Sequence, residues 1–176
     1  YYGDKTKDYF KTGFSQFHTV ALSNSTDKSH YRMSVGYNDN SGMFRGEDLR
    51  KLNIDLSAGA TMNKWLSTEG KVTVSNTKAD NRPLTGLNGE MAQLLVMPGN
   101  VRLSDLQNYT SEDRLHINWF GPDQHNSNPY YIRNRYKNSD ERWRAFGFYS
   151  LRLNFTDWLH FQGKYAFDYY RTRIEE

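Results

Sequence analysis

The chain contains no cysteine, which excludes disulfide frameworks and thiolate chemistry. It also lacks any stretch approaching the roughly 20 consecutive apolar residues of a transmembrane helix, and its mean hydropathy is −0.90. Only 36% of its residues are hydrophobic, whereas 15% are aromatic. This composition excludes membrane helices. It leaves a transmembrane β-barrel open, because only every second residue of a barrel strand meets lipid.

Motifs of catalysis and of nucleic-acid binding are missing as well. The net charge is +3, but Lys and Arg are scattered among 20 acidic residues, so we expect no nucleic-acid partner. No serine lies in a G-x-S-x-G elbow, and no pair of carboxylates is fixed as in a glycosidase. The histidines lack the spacing of metal ligands: His18, His30, His116, His125 and His160. We therefore expect no catalytic residue, no metal site and no cofactor.

The sequence contains two copies of one long hairpin pattern. Residues 52–74 read LNIDLSAGATMNKWLSTEGKVTV, and residues 145–167 read AFGFYSLRLNFTDWLHFQGKYAF. Each copy has two runs of alternating apolar and polar residues, joined by a turn that ends in Trp-Leu, at Trp65 and at Trp158. Alternation of this kind is typical of strands with one apolar and one polar face. The repeat predicts a regular antiparallel sheet.

Alternating runs of this type occur six times and predict an all-β fold. The predicted strands are 14–24, 29–38, 50–63, 67–76, 143–155 and 159–171. Their connections are unequal. The short ones fall at one end of the sheet, and the long ones, 39–48 and 77–142, fall at the other. Short turns at one end and long loops at the other are typical of outer-membrane barrels.

The pattern alone fits a membrane barrel and a soluble all-β domain equally well. Two details favour the membrane. No charge lies at the centre of a predicted apolar face, where a lipid-exposed Lys or Arg would cost roughly 2–4 kcal/mol. Trp65 and Trp158 lie at strand ends, as an aromatic girdle at the membrane interface requires. Six strands would leave two open edges, so we expect the chain to be a piece of a larger barrel.

An ordered set of short motifs, spread over about residues 8–171, resembles the SusC/RagA family of TonB-linked outer-membrane transporters. The matching positions are Lys11-Thr12-Gly13-Phe14, Gln16, His18, Tyr31-Arg32, Gly36-Tyr37, Asp39 and Gly42. The later stretches NKWL, TKADNRP, NSNPYY, TDWL and QGKYAFDYY are also similar to the family. Phe17 and the pair Asn24-Ser25 depart from the family pattern, without touching the architecture.

This resemblance implies a location in the bacterial outer membrane and a barrel of about 22 strands, of which the chain would supply strands two to seven. It implies a separate plug, absent from this sequence, and coupling to the TonB complex and the proton-motive force. It also implies a SusD-like surface lipoprotein as a lid. The function implied is the import of oligosaccharides or peptides, without covalent chemistry. The alternative from the pattern is a soluble all-β glycan-binding or adhesion module.

The 77–142 connection is the expected extracellular loop and contains the candidate substrate contacts. Residues 88–97, followed by Pro98-Gly99, predict a short helix whose Met91, Leu94 and Leu95 face packs on the barrel or a partner. Aromatic rings beside amides and charged groups suit sugars, although the same rings can pack the loop onto itself. The candidates are Trp119, Phe120, Tyr130, Tyr131, Arg133 and Trp143, with Asp123, Asn126 and Asn128 beside them.

Overall fold

The computed structural model describes residues 6–119 and 127–175, and it is an all-β structure with a few short helices. The strands are β1 (Phe14–Ser25), β2 (Ser29–Ser41), β3 (Asp48–Thr61), β4 (Leu66–Asp80), β5 (Ser139–Asn154) and β6 (His160–Glu175). The helices are α1 (Thr6–Tyr9), α2 (Glu90–Val96) and α3 (Pro129–Arg135), with a 3-10 turn at Leu103–Leu106. In the described part of the chain, no helix is long and apolar enough to cross a membrane.

The strands form one antiparallel sheet in sequence order, β1-β2-β3-β4-β5-β6. Each strand pairs with the next through a tight hairpin or across a longer connection. Residues 26–28, 62–65 and 155–159 connect strands at one end, which we call the turn end. Residues 42–47 and 81–138 connect them at the other, which we call the loop end. The six predicted strands, their antiparallel arrangement and the unequal connections are confirmed, with bounds that differ by up to four residues.

The two Trp-Leu turns close by the same local bonds. In the first, the Asn63 side-chain oxygen accepts hydrogen bonds from the backbone N–H groups of Trp65 and Leu66, at 3.0 and 2.8 Å. In the second, the Thr156 hydroxyl accepts from the Leu159 N–H at 3.0 Å. Asn and Thr side chains favour turns because they bond the backbone a few residues on. The repeated sequence is thus a repeated hairpin.

The ladders extend beyond the alternating pattern at the loop end. β4 continues to Asp80 and β5 begins at Ser139, so the connection predicted at 77–142 is reduced to residues 81–138. Residues 77–80 still pair with both neighbouring strands. The alternation fades there because both faces of the sheet become polar, and a backbone ladder needs no apolar face. At the turn end, β3 stops at Thr61 because Met62 and Asn63 belong to the turn.

The buried apolar core lies beside the sheet, at its loop end. Its central residues are Tyr9, Leu94, Leu103, Leu106 and Tyr130, joined by the partly buried Phe10, Phe44 and Trp119 among others. They come from four separate segments, which we call together the loop assembly: residues 6–13, 42–47, 81–119 and 127–138. This assembly gives the loop end a folded cap, whereas the turn end has only tight turns.

Gly147 in β5 allows the close approach of β4, and we expect its replacement to separate the two strands. A Cβ atom at this position would lie 2.2 Å from the Lys71 carbonyl oxygen and 3.0 Å from the Val72 Cα. Since both atoms belong to the backbone, the clash cannot be relieved by the movement of a flexible side chain. Gly147→Ala should lower the free energy of unfolding by about 1–3 kcal/mol, measured by urea unfolding followed by circular dichroism.

Gly163→Ala in β6 is the matched control. Its new Cβ would meet nothing nearer than the Phe161 ring, at 3.5 Å, which is an ordinary contact. We expect a change within roughly 0.5 kcal/mol for this variant. Equal destabilisation by the two substitutions would show that the approach of β4 to β5 is not what Gly147 serves.

Candidate functional site

One face of the sheet is apolar across all six strands, and we call it the apolar face. Its central row, read through the strand register, is Leu22, Met33, Leu56, Val72, Gly147 and Phe167. The row toward the loop end is Val20, Val35, Ile54, Val74, Ala145 and Tyr169, and the row toward the turn end is Asn24, Tyr31, Ala58, Gly70, Tyr149 and Tyr165. None of these side chains is charged, as the sequence predicts.

The apolar face is the more exposed of the two faces. Val20 is 77% exposed, and Leu22, Tyr149, Tyr165 and Tyr169 are exposed as well. On the opposite face, which we call the polar face, Ser34, Thr73 and Ser150 are buried between longer neighbours, Ser150 to 7% exposure. In a protein surrounded by water, the apolar face of a sheet is normally the less exposed of the two, because burying apolar area is what stabilises a fold. No second layer of the described residues covers the apolar face.

Charged and polar side chains border the apolar face at the loop end. The row next to Val20–Tyr169 is mixed and reads His18, Tyr37, Leu52, Asn76, Trp143 and Arg171. The row beyond it reads Gln16, Asp39, Arg50, Lys78, Glu141 and Arg173. Within it Arg50 lies 3.9 Å from Asp39, and Lys78 pairs with Asp80 of the next row at 3.5 Å. The Glu141 carboxylate accepts hydrogen bonds from the Asn76 amide at 2.8 Å and the Trp143 indole at 3.0 Å. The uncharged part of the apolar face therefore ends at this row of bonded polar side chains, which we call the polar margin.

The turn end of the sheet has exposed indoles. Trp65 and Trp158 lie in the two repeated turns, next to the ends of β4 and β6, and both are more than half exposed. Between this end and the polar margin, the apolar-face positions of β5 are uncharged from Ala145 to Leu153. A membrane-crossing strand takes about 9–11 residues, and this stretch is of that length.

The polar face contains hydrogen-bonded and charged groups. The Thr73 hydroxyl donates to the Asp55 carboxylate at 2.7 Å. Arg144 pairs with Asp168 through two guanidinium nitrogens and stacks over the Phe146 ring at 4.7 Å. The Lys164 ammonium lies 4.0 Å from the centre of the Phe148 ring. Cation–π contacts and ion pairs of this kind are typical of a hydrated protein surface.

A buried polar hub holds the loop assembly together. The Tyr9 hydroxyl donates to the Glu90 carboxylate at 2.8 Å, and Arg133 donates to the other Glu90 oxygen at 3.3 Å. Arg133 also donates to the Arg45 carbonyl at 2.6 Å, so the hub joins all four segments that surround it. Glu90 is 1% exposed and Arg133 is 6% exposed. Buried charges require a charged or hydrogen-bonding partner, and Glu90 and Arg133 serve as partners for each other.

Buried amides complete the loop assembly. Asn128 caps α3 by accepting from the backbone N–H groups of Tyr130 and Tyr131, and its amide donates to the carbonyls of Leu106 and Asn118, both at 2.8 Å. Gln93 donates to the Leu87 carbonyl at 2.7 Å and accepts from the Ser127 N–H at 2.9 Å. These bonds fix turns that have little regular structure of their own.

The predicted short helix is confirmed as α2, and the packing of its Met91, Leu94 and Leu95 face on the barrel or a partner stays a prediction. Leu94 is buried, whereas Met91 and Leu95 are exposed. The buried face is formed by Glu90, Gln93 and Leu94. Glu90 and Gln93 are buried because the polar hub and the Gln93 hydrogen bonds orient the helix. No apolar pattern contains that information.

The candidate substrate residues do not form a single cluster. Tyr130 and Arg133 are buried on α3, and Trp119 packs against the loop core. Tyr131 contacts the rings of Tyr109 and Tyr136. Trp143 lies on β5 in the row of the apolar face just inside the polar margin, and it is half exposed. Phe120, Asp123 and Asn126 lie outside the described residues. A substrate role for these positions stays a prediction.

Comparison with known proteins adds no identification. No protein-family model matches the chain, and no curated protein is significantly similar to it. A functional proposal for this chain therefore depends on the geometry of the sheet and of the loop assembly.

Burial raises the pKa of the Glu90 carboxyl, while the Tyr9 hydrogen bond and the Arg133 charge oppose this rise. Because the pKa is raised in the folded state, that state binds the proton more tightly than the unfolded chain does. The resulting stability is fully present below the unfolded pKa of about 4.3 and is lost as the pH rises through the raised folded value.

We therefore expect the loop assembly of the wild-type chain to lose stability relative to Glu90→Gln as the pH rises from the unfolded pKa of about 4.3 through the raised folded pKa of Glu90. The measurement is the opening free energy of the α2 and α3 amides by hydrogen exchange, corrected for intrinsic exchange rates. Glu112→Gln, which changes an exposed carboxylate of the same connection, is the control. A difference between wild type and Glu90→Gln that stays constant over this range would contradict the assignment.

Proposed function

We propose that the chain forms part of the wall and one outer loop of a SusC/RagA-type transporter in the bacterial outer membrane. In this proposal the transporter imports oligosaccharides or peptides, with energy delivered by TonB. The observation that carries the proposal is the exposure of the apolar face, in a sheet whose tight turns all lie at one end.

The surroundings that suit this sheet are apolar on one side and aqueous on the other. Lipid-facing strands of an outer-membrane barrel present an apolar band of about 25 Å with aromatic residues at its borders, and their lumen is polar. The uncharged rows, the exposed Trp65 and Trp158 and the polar margin near Trp143 follow that order along the strands. The charged pairs of the polar face would then line the lumen.

A bilayer also constrains the edges of the sheet. The outer edges of β1 and β6 have no partner strand in the described part of the chain. In hydrocarbon every unpaired backbone N–H and C=O group costs several kcal/mol. The proposal therefore requires further strands on both edges, as in a barrel of about 22 strands.

The same proposal assigns the two ends of the sheet to the two sides of the membrane. Short turns of such barrels face the periplasm and long loops face outward. The loop assembly would then lie outside, where cargo and a SusD-like lid lipoprotein would meet it. Import of this kind changes no covalent bond of the cargo, so it requires no catalytic residue.

The competing function is a soluble all-β module for glycan binding or adhesion. The exposed Tyr149, Tyr165 and Tyr169 side chains would suit sugar stacking in that case. However, they lie within a continuous apolar surface that also includes Val20 and Leu22. A monomer in water rarely exposes an apolar patch of that extent without a partner.

Import is tested by genetics in the bacterium that encodes the chain. Deletion of the gene should abolish growth on at least one oligosaccharide or peptide source on which a TonB-deficient strain also fails. Complementation with Ile54→Arg should restore little growth, because residue 54 lies one row from the central row of the apolar face, where a charge costs up to roughly 2–4 kcal/mol in lipid and lowers the amount of protein in the outer membrane.

Asn53→Arg is the matched control, since residue 53 lies next to Ile54 on the polar face. This variant should complement as the wild-type gene does. Growth of the deletion strain on every source that requires TonB would contradict the import function. Equal complementation by the two Arg variants would contradict the lipid-facing assignment.

A further inference from the structure

The apolar face contains a groove along β3 and β4 near the turn end, which we call the trench. Its volume is about 880 Å³, within the range of about 300–1,000 Å³ for small-molecule sites. The lining is almost entirely apolar. Arg32 and Lys71 also border the trench, but the strand register assigns both to the polar face. The lining residues that belong to the apolar face are therefore all uncharged.

Differences in side-chain size within one row of the sheet form the trench. In the row toward the turn end, Ala58 and Gly70 lie between Tyr31 on β2 and Tyr149 on β5. The next row toward the turn also has a small residue on β3, Ala60. Tyr31 and Tyr149 are each about half exposed. Their rings therefore stand as walls on both sides of a floor of small residues.

The length of the trench matches one leaflet of a bilayer. On β3 the lining runs from Leu56 to Ala60, a distance of about 14 Å at roughly 3.4 Å per residue. Half of the hydrocarbon thickness of a bilayer is about 15 Å. An acyl chain of the leaflet nearer the turn end would therefore lie along the whole trench. A trench left empty would lack contacts on its walls, and such voids lose dispersion energy.

The turn between β3 and β4 places a cation and an indole at the end of the trench. The Asn63 side chain closes this turn by bonding the N–H groups of Trp65 and Leu66, which leaves Lys64 at its tip. Lys64 and Trp65 are both exposed. Indoles favour the headgroup level of a bilayer, and basic side chains near its surface attract lipid phosphates. The end of the trench thus suits the phosphate of a phospholipid.

We propose that the trench is a binding site for one phospholipid, whose acyl chain lies between Tyr31 and Tyr149 and whose phosphate lies beside Lys64. Walls that the sheet already fixes cost little ordering when the chain enters, so they favour one resident lipid over the exchanging lipids of a flat surface. This inference rests on the proposed lipid-facing assignment of the apolar face and adds a specific ligand to it.

The test is native mass spectrometry of the full chain, released from detergent micelles after titration with dioleoyl phosphatidylglycerol. We expect a first lipid to bind at a concentration about tenfold lower than any further lipid. Dioleoylglycerol, which has the same chains without the phosphate, should bind about fivefold more weakly, because it cannot pair with Lys64. Binding of many lipids with no preferred first one, or equal binding of dioleoylglycerol, would overturn the proposal.

Substitutions on the floor of the trench locate the site. Ala58→Phe should fill the trench and weaken binding of the first lipid at least about tenfold. Gly70→Val should act in the same direction, since a Cβ at Gly70 meets nothing nearer than 3.6 Å and the strand can accept it. Ala145→Phe is the matched control, because Ala145 lies on the same face but outside the trench. Wild-type affinity in both floor variants, or an equal loss in the control, would show that the lipid binds elsewhere.

Failure of this site and failure of the lipid-facing assignment give different results. If no first lipid is preferred while the apolar face still contacts lipid in vesicles, only the site is wrong. If the chain stays in the aqueous phase as a monomer, both are wrong. A dimer that is lost in Ala58→Phe, in place of a lipid complex, would assign the trench to a second copy of the chain and overturn the proposal.

Discussion

The antiparallel backbone ladder is the constraint on which the rest of the structure depends. It satisfies the N–H and C=O groups of six strands in sequence order, and it fixes a register in which apolar side chains fall in common rows. A slip of one residue at any hairpin would move a whole strand of apolar side chains to the polar face. The turn bonds of Asn63 and Thr156 keep that register, so two short turns decide which surface the sheet presents.

The loop end is stabilised by a different kind of interaction. Its core is small, and the segments around it are joined by buried polar groups: the Tyr9–Glu90–Arg133 hub and the amides of Asn128 and Gln93. Such networks are stable only when nearly all members are bonded. Asn81 Oδ1, Tyr130 OH and Arg133 Nη2, which have no hydrogen-bond partner within the described chain, are exceptions to this rule in the loop assembly.

Local alternation was enough to predict the sheet. Each strand shows the two-residue period, and the Trp65 and Trp158 turns mark where two hairpins reverse. The loop assembly could not be predicted in the same way. Glu90, Gln93 and Arg133 are buried although their residue types favour the surface, and their partners are up to 88 residues away in the chain, as between Arg133 and Arg45. Nothing in a local pattern indicates such pairings, which is why the burial of Glu90 and Gln93 on α2 could not be predicted.

The central claim is that the apolar face lies against lipid. Because the chain has no cysteine, single-site labels have no background. We would attach nitroxides to Leu56→Cys and Val74→Cys on the apolar face, and to Ser57→Cys and Ser75→Cys on the polar face, in the protein reconstituted in lipid vesicles. The account predicts that the first pair collides mainly with oxygen, which concentrates in lipid, and the second pair mainly with a water-soluble nickel complex. Equal access of the nickel complex to all four labels, or a chain that stays in the aqueous phase as a monomer, would contradict it.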